Sequence, residues 1–112
     1  MLSLETAKAL REAGLKWEPV LGDLFVADYD NGLGPTPVDV VKTNNFGEPG
    51  PEYMWLPHLG QLRAEIEAQG YDWFLKTDYC YVVNNNNQGQ GIYADTPEEA
   101  AAQALLWILK EG

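Results

Sequence analysis

The chain has 112 residues, 46% of them hydrophobic and 12% aromatic, and 17 acidic against 7 basic residues give a net charge of −10. This size and composition suit one domain spanning 1–112, able to bury roughly two thirds of its unfolded surface without disulfides or metal, and they exclude a disordered chain. The acidity repels phosphates and anionic lipid, so direct nucleic-acid binding is disfavoured, and the longest apolar run, Ala104 to Leu109, falls far short of the roughly 20 residues of a membrane span.

The N-terminus enters a helix pattern without a basic region or a long apolar stretch, so no signal peptide is expected. The single cysteine, Cys80, points to a reduced compartment, the cytoplasm by default. Ser3 can cap a first helix over Leu4 to Ala13, with Thr6, Ala7, Leu10 and Ala13 on one face and Gly14 as the stop. Leu24-Phe25-Val26-Ala27 reads as a short strand, and turn formers fill Asp28 to Pro37. Val38 to Lys42 follows as the second strand of a hairpin with a long loop. Thr43 to Glu52, with two prolines and two glycines, reads as loop.

Tyr53-Met54-Trp55-Leu56 adds a short extended piece before Pro57, which suits the first turn of a second helix whose stripe is Leu59, Leu62 and Ile66 and whose stop is Gly70. Tyr71 to Lys76 alternates, with Tyr71, Trp73 and Leu75 on one side, and pairs through a tight Thr77-Asp78 turn with Tyr79 to Val83. Asn84 to Gly91 reads as a polar loop, a solvated hairpin tip, before a short last strand, Ile92-Tyr93-Ala94. Asp95-Thr96-Pro97-Glu98-Glu99 then opens a third helix, with Ala101, Leu105, Ile108 and Leu109 on one side. The elements predict an α+β domain of order α-β-β-α-β-β-β-α, a small, mainly antiparallel sheet with helices on one face.

The residues that carry chemistry elsewhere lack the company they need here. Asp28, Asp30 and Asp39 around Asn31-Gly32 resemble a cation loop in composition, but the spacing fails, because Gly32 and Leu33 occupy the fifth and sixth positions. His58, the only histidine, has no nucleophile or orienting partner nominated by the sequence and reads as an exposed helix-start residue. One His and one Cys cannot make a zinc site of the usual ligand count. Cys80 has Asp78, Tyr79 and Tyr81 beside it and no positive charge to activate it, so it reads as a buried structural thiol. Glu98 and Glu99 are accounted for by the helix dipole, and no cofactor fingerprint is present.

Aromatic surface is the remaining hint. On a helical wheel Trp107 falls near the polar side with Gln103 and Lys110, so it is either a contact residue or a ring folded over a sheet edge, Trp17 or the loop near Trp55.

Three blocks of sequence carry a resemblance: Glu12 to Pro19 with Gly22-Asp23; Trp55-Leu56-Pro57 through Leu59, Gln61-Leu62 and Glu65 to Gln69-Gly70-Tyr71; and Ala94 to Ala100 through Leu105-Leu106-Trp107. Together they resemble a family of small uncharacterised proteins of phages, prophages and bacterial genomes, which implies an origin and no activity. The expected function is a non-enzymatic accessory domain of a phage or mobile element that binds a protein partner or itself, with Tyr53, Trp55 and Trp107 as candidate contact residues, and without catalytic, metal or cofactor groups. A small-molecule binder or enzyme using the sheet face and the Asn84 to Asn87 loop is the alternative, and an acidic mimic of nucleic acid, with its carboxylates on one face, is a third.

Overall fold

The computed structural model describes residues 2–29, 32–43, 46–50 and 52–111. Its elements are α1 (Leu4–Glu12), β1 (Leu24–Ala27), β2 (Asp39–Val40), β3 (Tyr53–Leu56), α2 (Leu59–Ala68), β4 (Tyr71–Lys76), β5 (Tyr79–Asn84), β6 (Gly89–Tyr93) and α3 (Pro97–Glu111), an α+β fold.

The helix ends follow from side chains that complete the backbone. Ser3 Oγ accepts from the Thr6 amide at 3.3 Å and starts α1. Gly14, at φ 104°, ends it where a residue with a Cβ would be strained. At α2 the cap is His58, whose Nδ1 accepts from the Gln61 amide at 3.3 Å while Gln61 Oε1 accepts from the His58 amide at 3.0 Å. Pro57 therefore precedes the cap and does not form part of the first turn, and it is buried. Thr96 Oγ1 accepts from the Glu99 amide at 3.1 Å, which puts Pro97 at the first helical position of α3.

The strands form two antiparallel three-stranded sheets, β2-β1-β3 and β4-β5-β6, where a single sheet was expected. The difference lies in the Tyr53–Leu56 segment, which pairs with β1 along its whole length, from Leu24 opposite Leu56 to Ala27 opposite Tyr53. That makes β1 the centre of its own sheet, with β2 reduced to two residues on its other edge. The β4–β5 hairpin turns at Thr77-Asp78 as expected and pairs with β6 on its far side. Asp30 and Asn31 of the turn-rich segment, and Asn44, Asn45 and Pro51 of the following loop, lie outside the described residues.

The core forms where the two sheets and three helices meet. Val26, Met54 and Leu56 from the first sheet, Tyr71, Cys80 and Val82 from the second, and Leu10, Leu62 and Ile66 from α1 and α2 belong to one buried cluster around α3. Helix α3 contacts α1, α2 and all three strands of the second sheet. It therefore buries more than one face: Ala100, Ala101, Ala102 and Ala104 are fully buried together with Leu105, and their small size lets neighbours approach from several sides.

Two polar nodes, buried Asp23 and half-buried Glu99, join distant parts of the chain. Asp23 Oδ2 accepts from Trp17 Nε1 at 2.9 Å and from the Val20 amide at 3.1 Å, while its Oδ1 accepts from Gln61 Nε2 at 2.6 Å. Residues of the first two sequence blocks thus meet at one carboxylate. Glu99 does the same for the chain ends, accepting from the Ser3 amide at 2.6 Å and from Thr6 Oγ1 at 2.8 Å.

Candidate functional site

Strand alternation gives the β4-β5-β6 sheet two unlike faces. Tyr71, Trp73, Leu75, Cys80, Val82 and Ile92 belong to the core or lie against it, on the side of α2 and α3. The opposite residues make a three-by-three array set by the register: Asp72, Val83 and Gly89 in one row, Phe74, Tyr81 and Gly91 in the next, Lys76, Tyr79 and Tyr93 in the third. From ordinary strand spacing this face measures about 10 Å by about 13 Å. Phe74 is 62% and Tyr93 77% exposed, whereas Tyr79 and Tyr81 are half-buried because they lie against their neighbours.

The rings lie down because the glycines let them. A methyl group on Gly91 would come 2.9 Å from Cε2 of Tyr79, and one on Gly89 would come 3.0 Å from Tyr81 Oη. Each tyrosine thus covers a glycine diagonal to it on β6, which fills the gap left by the missing side chain and flattens the face. Tyr79 and Tyr93 have ring centroids 4.5 Å apart, and Phe74 and Tyr81 6.3 Å apart, so the four form two aromatic pairs. The expectation that Gly89 to Gly91 belong to a loop is corrected by the same contacts: both glycines pair within β6.

The asparagine tract at the end of this sheet is occupied with itself. Asn84 Oδ1 accepts from the Asn86 amide at 2.9 Å and from the Gln88 amide at 3.0 Å, and its Nδ2 donates to Gln88 Oε1 at 3.1 Å. Asn87 takes the left-handed conformation, φ 60°, that asparagine tolerates in a short hairpin loop.

The three aromatic candidates from the sequence sit elsewhere. Tyr53 and Trp55 belong to the aromatic face of the first sheet: Trp17 stacks parallel to Trp55 at 6.4 Å, and Phe25 meets Trp17 at 5.7 Å and Tyr53 at 5.6 Å. Phe46 closes the cluster, 5.4 Å from Trp17. Interaction with the Tyr29 hydroxyl holds the Tyr53 phenol above its ordinary value. Trp55 Nε1 is buried without a hydrogen-bond partner among the described residues. Trp107 is half-buried and meets Tyr71, the first residue of edge strand β4, edge-on at 6.2 Å. The ring contacts of Trp107 and those of the Tyr53–Trp55 cluster have no member in common. A cavity of about 200 Å³ lies between α1 and the first sheet, lined by Leu10, Leu15, Trp17, Tyr53 and Trp55 among others.

Cys80 is fully buried, and burial pushes its thiol up to about 11, so the thiolate needed for nucleophilic chemistry is scarce near neutral pH. His58 is occupied as the cap of α2. Among the described residues no group of three or more His, Cys, Asp and Glu side chains could hold a metal ion, and Asp30 of the oxygen-rich segment lies outside them. No helix among the described residues is long and apolar enough to cross a membrane. No protein-family model, curated protein or solved structure matches the chain.

Proposed function

We propose that this chain is a non-enzymatic binding domain that receives a protein partner on the open face of the β4-β5-β6 sheet. The observation that carries the reading is the array of Phe74, Tyr79, Tyr81 and Tyr93 on the side of the sheet away from α2 and α3. Exposed aromatic groups in a contiguous patch are unfavourable in water, and aromatic side chains dominate the energetics of protein interfaces. The resemblance of the three sequence blocks supports an accessory role in a phage or other mobile element.

The test is affinity capture from the source cell with the native chain and with a Phe74→Ser, Tyr93→Ser double variant. Both residues are exposed, so the variant keeps its fold, which circular dichroism checks. The reading expects the captured partner to be lost; capture at native level by the folded variant would remove it.

A second reading, a small-molecule site, is supported by the cavity under α1, which is lined by Trp17 and Trp55 and by no residue of the asparagine tract. Its size and mostly apolar lining suit a single uncharged ring. Titration with indole, followed as a shift of the amide resonances of α1, checks it.

A further inference from the structure

We propose that the partner presents an arginine-bearing, net-positive segment to the aromatic sheet face. The proposal rests on the protein-binding reading above and names the partner's chemistry. The array itself carries one acid and one base, Asp72 and Lys76, at opposite ends of β4. The turns at the Tyr79 and Tyr93 end add exposed Asp78 and Asp95 and no cation. Three carboxylates against one ammonium therefore rim a set of rings whose π faces are themselves negative.

A guanidinium fits this arrangement better than an ammonium. It lies flat on a ring while its N–H fork reaches sideways to a carboxylate; here Asp72 stands one row beyond Phe74 and Tyr81, and in the chain Asp78 immediately precedes Tyr79 and Asp95 follows Tyr93 by two residues. The same sheet already holds such a group: Arg63 of α2 lies 5.5 Å from the Trp73 ring centroid with its Nε 3.4 Å from Glu67. The overall charge of −10 works in the same direction, attracting a cationic partner. It opposes the two other natural occupants, since a second copy would bring equal negative charge to the face and a nucleic acid would bring its phosphates.

The experiment measures binding of two fluorescein-labelled octapeptides, alternating Gly and Arg or alternating Gly and Lys, to the native chain, to Phe74→Ser, Tyr93→Ser, and to Glu18→Gln, Glu48→Gln. The last variant removes two carboxylates from a cleft beside Trp17 and controls for net charge. The proposal expects the arginine peptide to bind about threefold or more tighter than the lysine peptide. It expects the aromatic double variant to weaken arginine-peptide binding about tenfold and the charge control to weaken it less than about twofold. Equal affinity for both peptides, undiminished by the aromatic variant, would overturn it, because attraction by net charge alone then accounts for binding. Sedimentation showing a dimer that the aromatic variant abolishes would also overturn it, with a second copy as the occupant. Loss of cellular capture in that variant with no binding of the arginine peptide removes the arginine inference and leaves the protein-binding reading standing. Unchanged capture and unchanged peptide binding remove both.

Discussion

Glu99 shows how much one side chain of a helix start can hold. From sequence its presence is explained by the positive end of the α3 dipole, and the structure adds a tie to the other end of the chain through Ser3 and Thr6. Burial pushes its carboxyl up, but donors from Ser3, Thr6 and Gln103 outweigh that and hold it below the usual value. Because the folded value is depressed, the contribution to stability is complete above the unfolded carboxylate value, about 4.3, and is lost as pH falls through the folded one. Glutamine is a poor replacement. Thr6 Oγ1 already receives Ser3 Oγ at 2.9 Å and Gln103 Nε2 at 3.3 Å, so it must donate to position 99, and an amide NH₂ placed there would face another donor. Because solvent reaches this half-buried site and makes up part of the loss, Glu99→Gln should cost about 0.5–1.5 kcal/mol at pH 7 by urea titration, a gap that narrows as the pH is lowered below about 4. A gap that stays constant with pH would show that the charge has no part in the tie.

At the scale of elements, β6 and α3 depart most from what their sequences suggest, and for one reason: their neighbours decide. Gly89-Gln90-Gly91 has the composition of a loop, yet it forms strand because Tyr79 and Tyr81 cover the glycines, a contact between residues of two different strands that no local pattern displays. The two glycines should respond differently to alanine. At Gly91 the obstacle is the Tyr79 ring, which can swing away, so Gly91→Ala should change stability by less than about 1 kcal/mol while moving that ring off the face. At Gly89 the added carbon would lie 2.5 Å from the Val82 carbonyl oxygen, which cannot move without disturbing the ladder, so Gly89→Ala should cost about 1–3 kcal/mol. Thermal melts rank the pair, and equal costs would contradict the ring contacts. In α3 the caps Thr96 and Pro97 and the buried Ala101, Leu105 and Ile108 were legible as periodicity and capping. The position of Trp107 was not, because a single-face wheel assumes one packing partner and α3 has helices and a sheet around it. The aromatic face itself was half legible: alternation in β4 marks its inward row, but the flat array needs β6 in register.

Across the whole molecule, the question is whether two sheets make one cooperative unit. Among the described residues they share no strand pairing, and what joins them is the buried cluster: α1 contacts β3 and α3, and α3 contacts every strand of the second sheet. Leu105, fully buried on α3, belongs to that shared cluster and is the point at which to test the coupling. Leu105→Ala should cost about 2–5 kcal/mol, the usual range for a buried leucine truncated in a rigid core. If one cluster supports both sheets, hydrogen exchange of the slowest amides in β1 and β3 and of those in β4 and β5 should accelerate by the same factor in the variant, since each set then opens only with the whole domain. Acceleration confined to β4 and β5 would instead mean that the first sheet, with α1 and the aromatic cluster of Trp17, Phe25, Tyr53 and Trp55, holds itself together. The parallel outcome also bears on binding. A sheet face backed by the common core is rigid, so a partner docking on Phe74, Tyr79, Tyr81 and Tyr93 would spend little of its binding energy on ordering this domain.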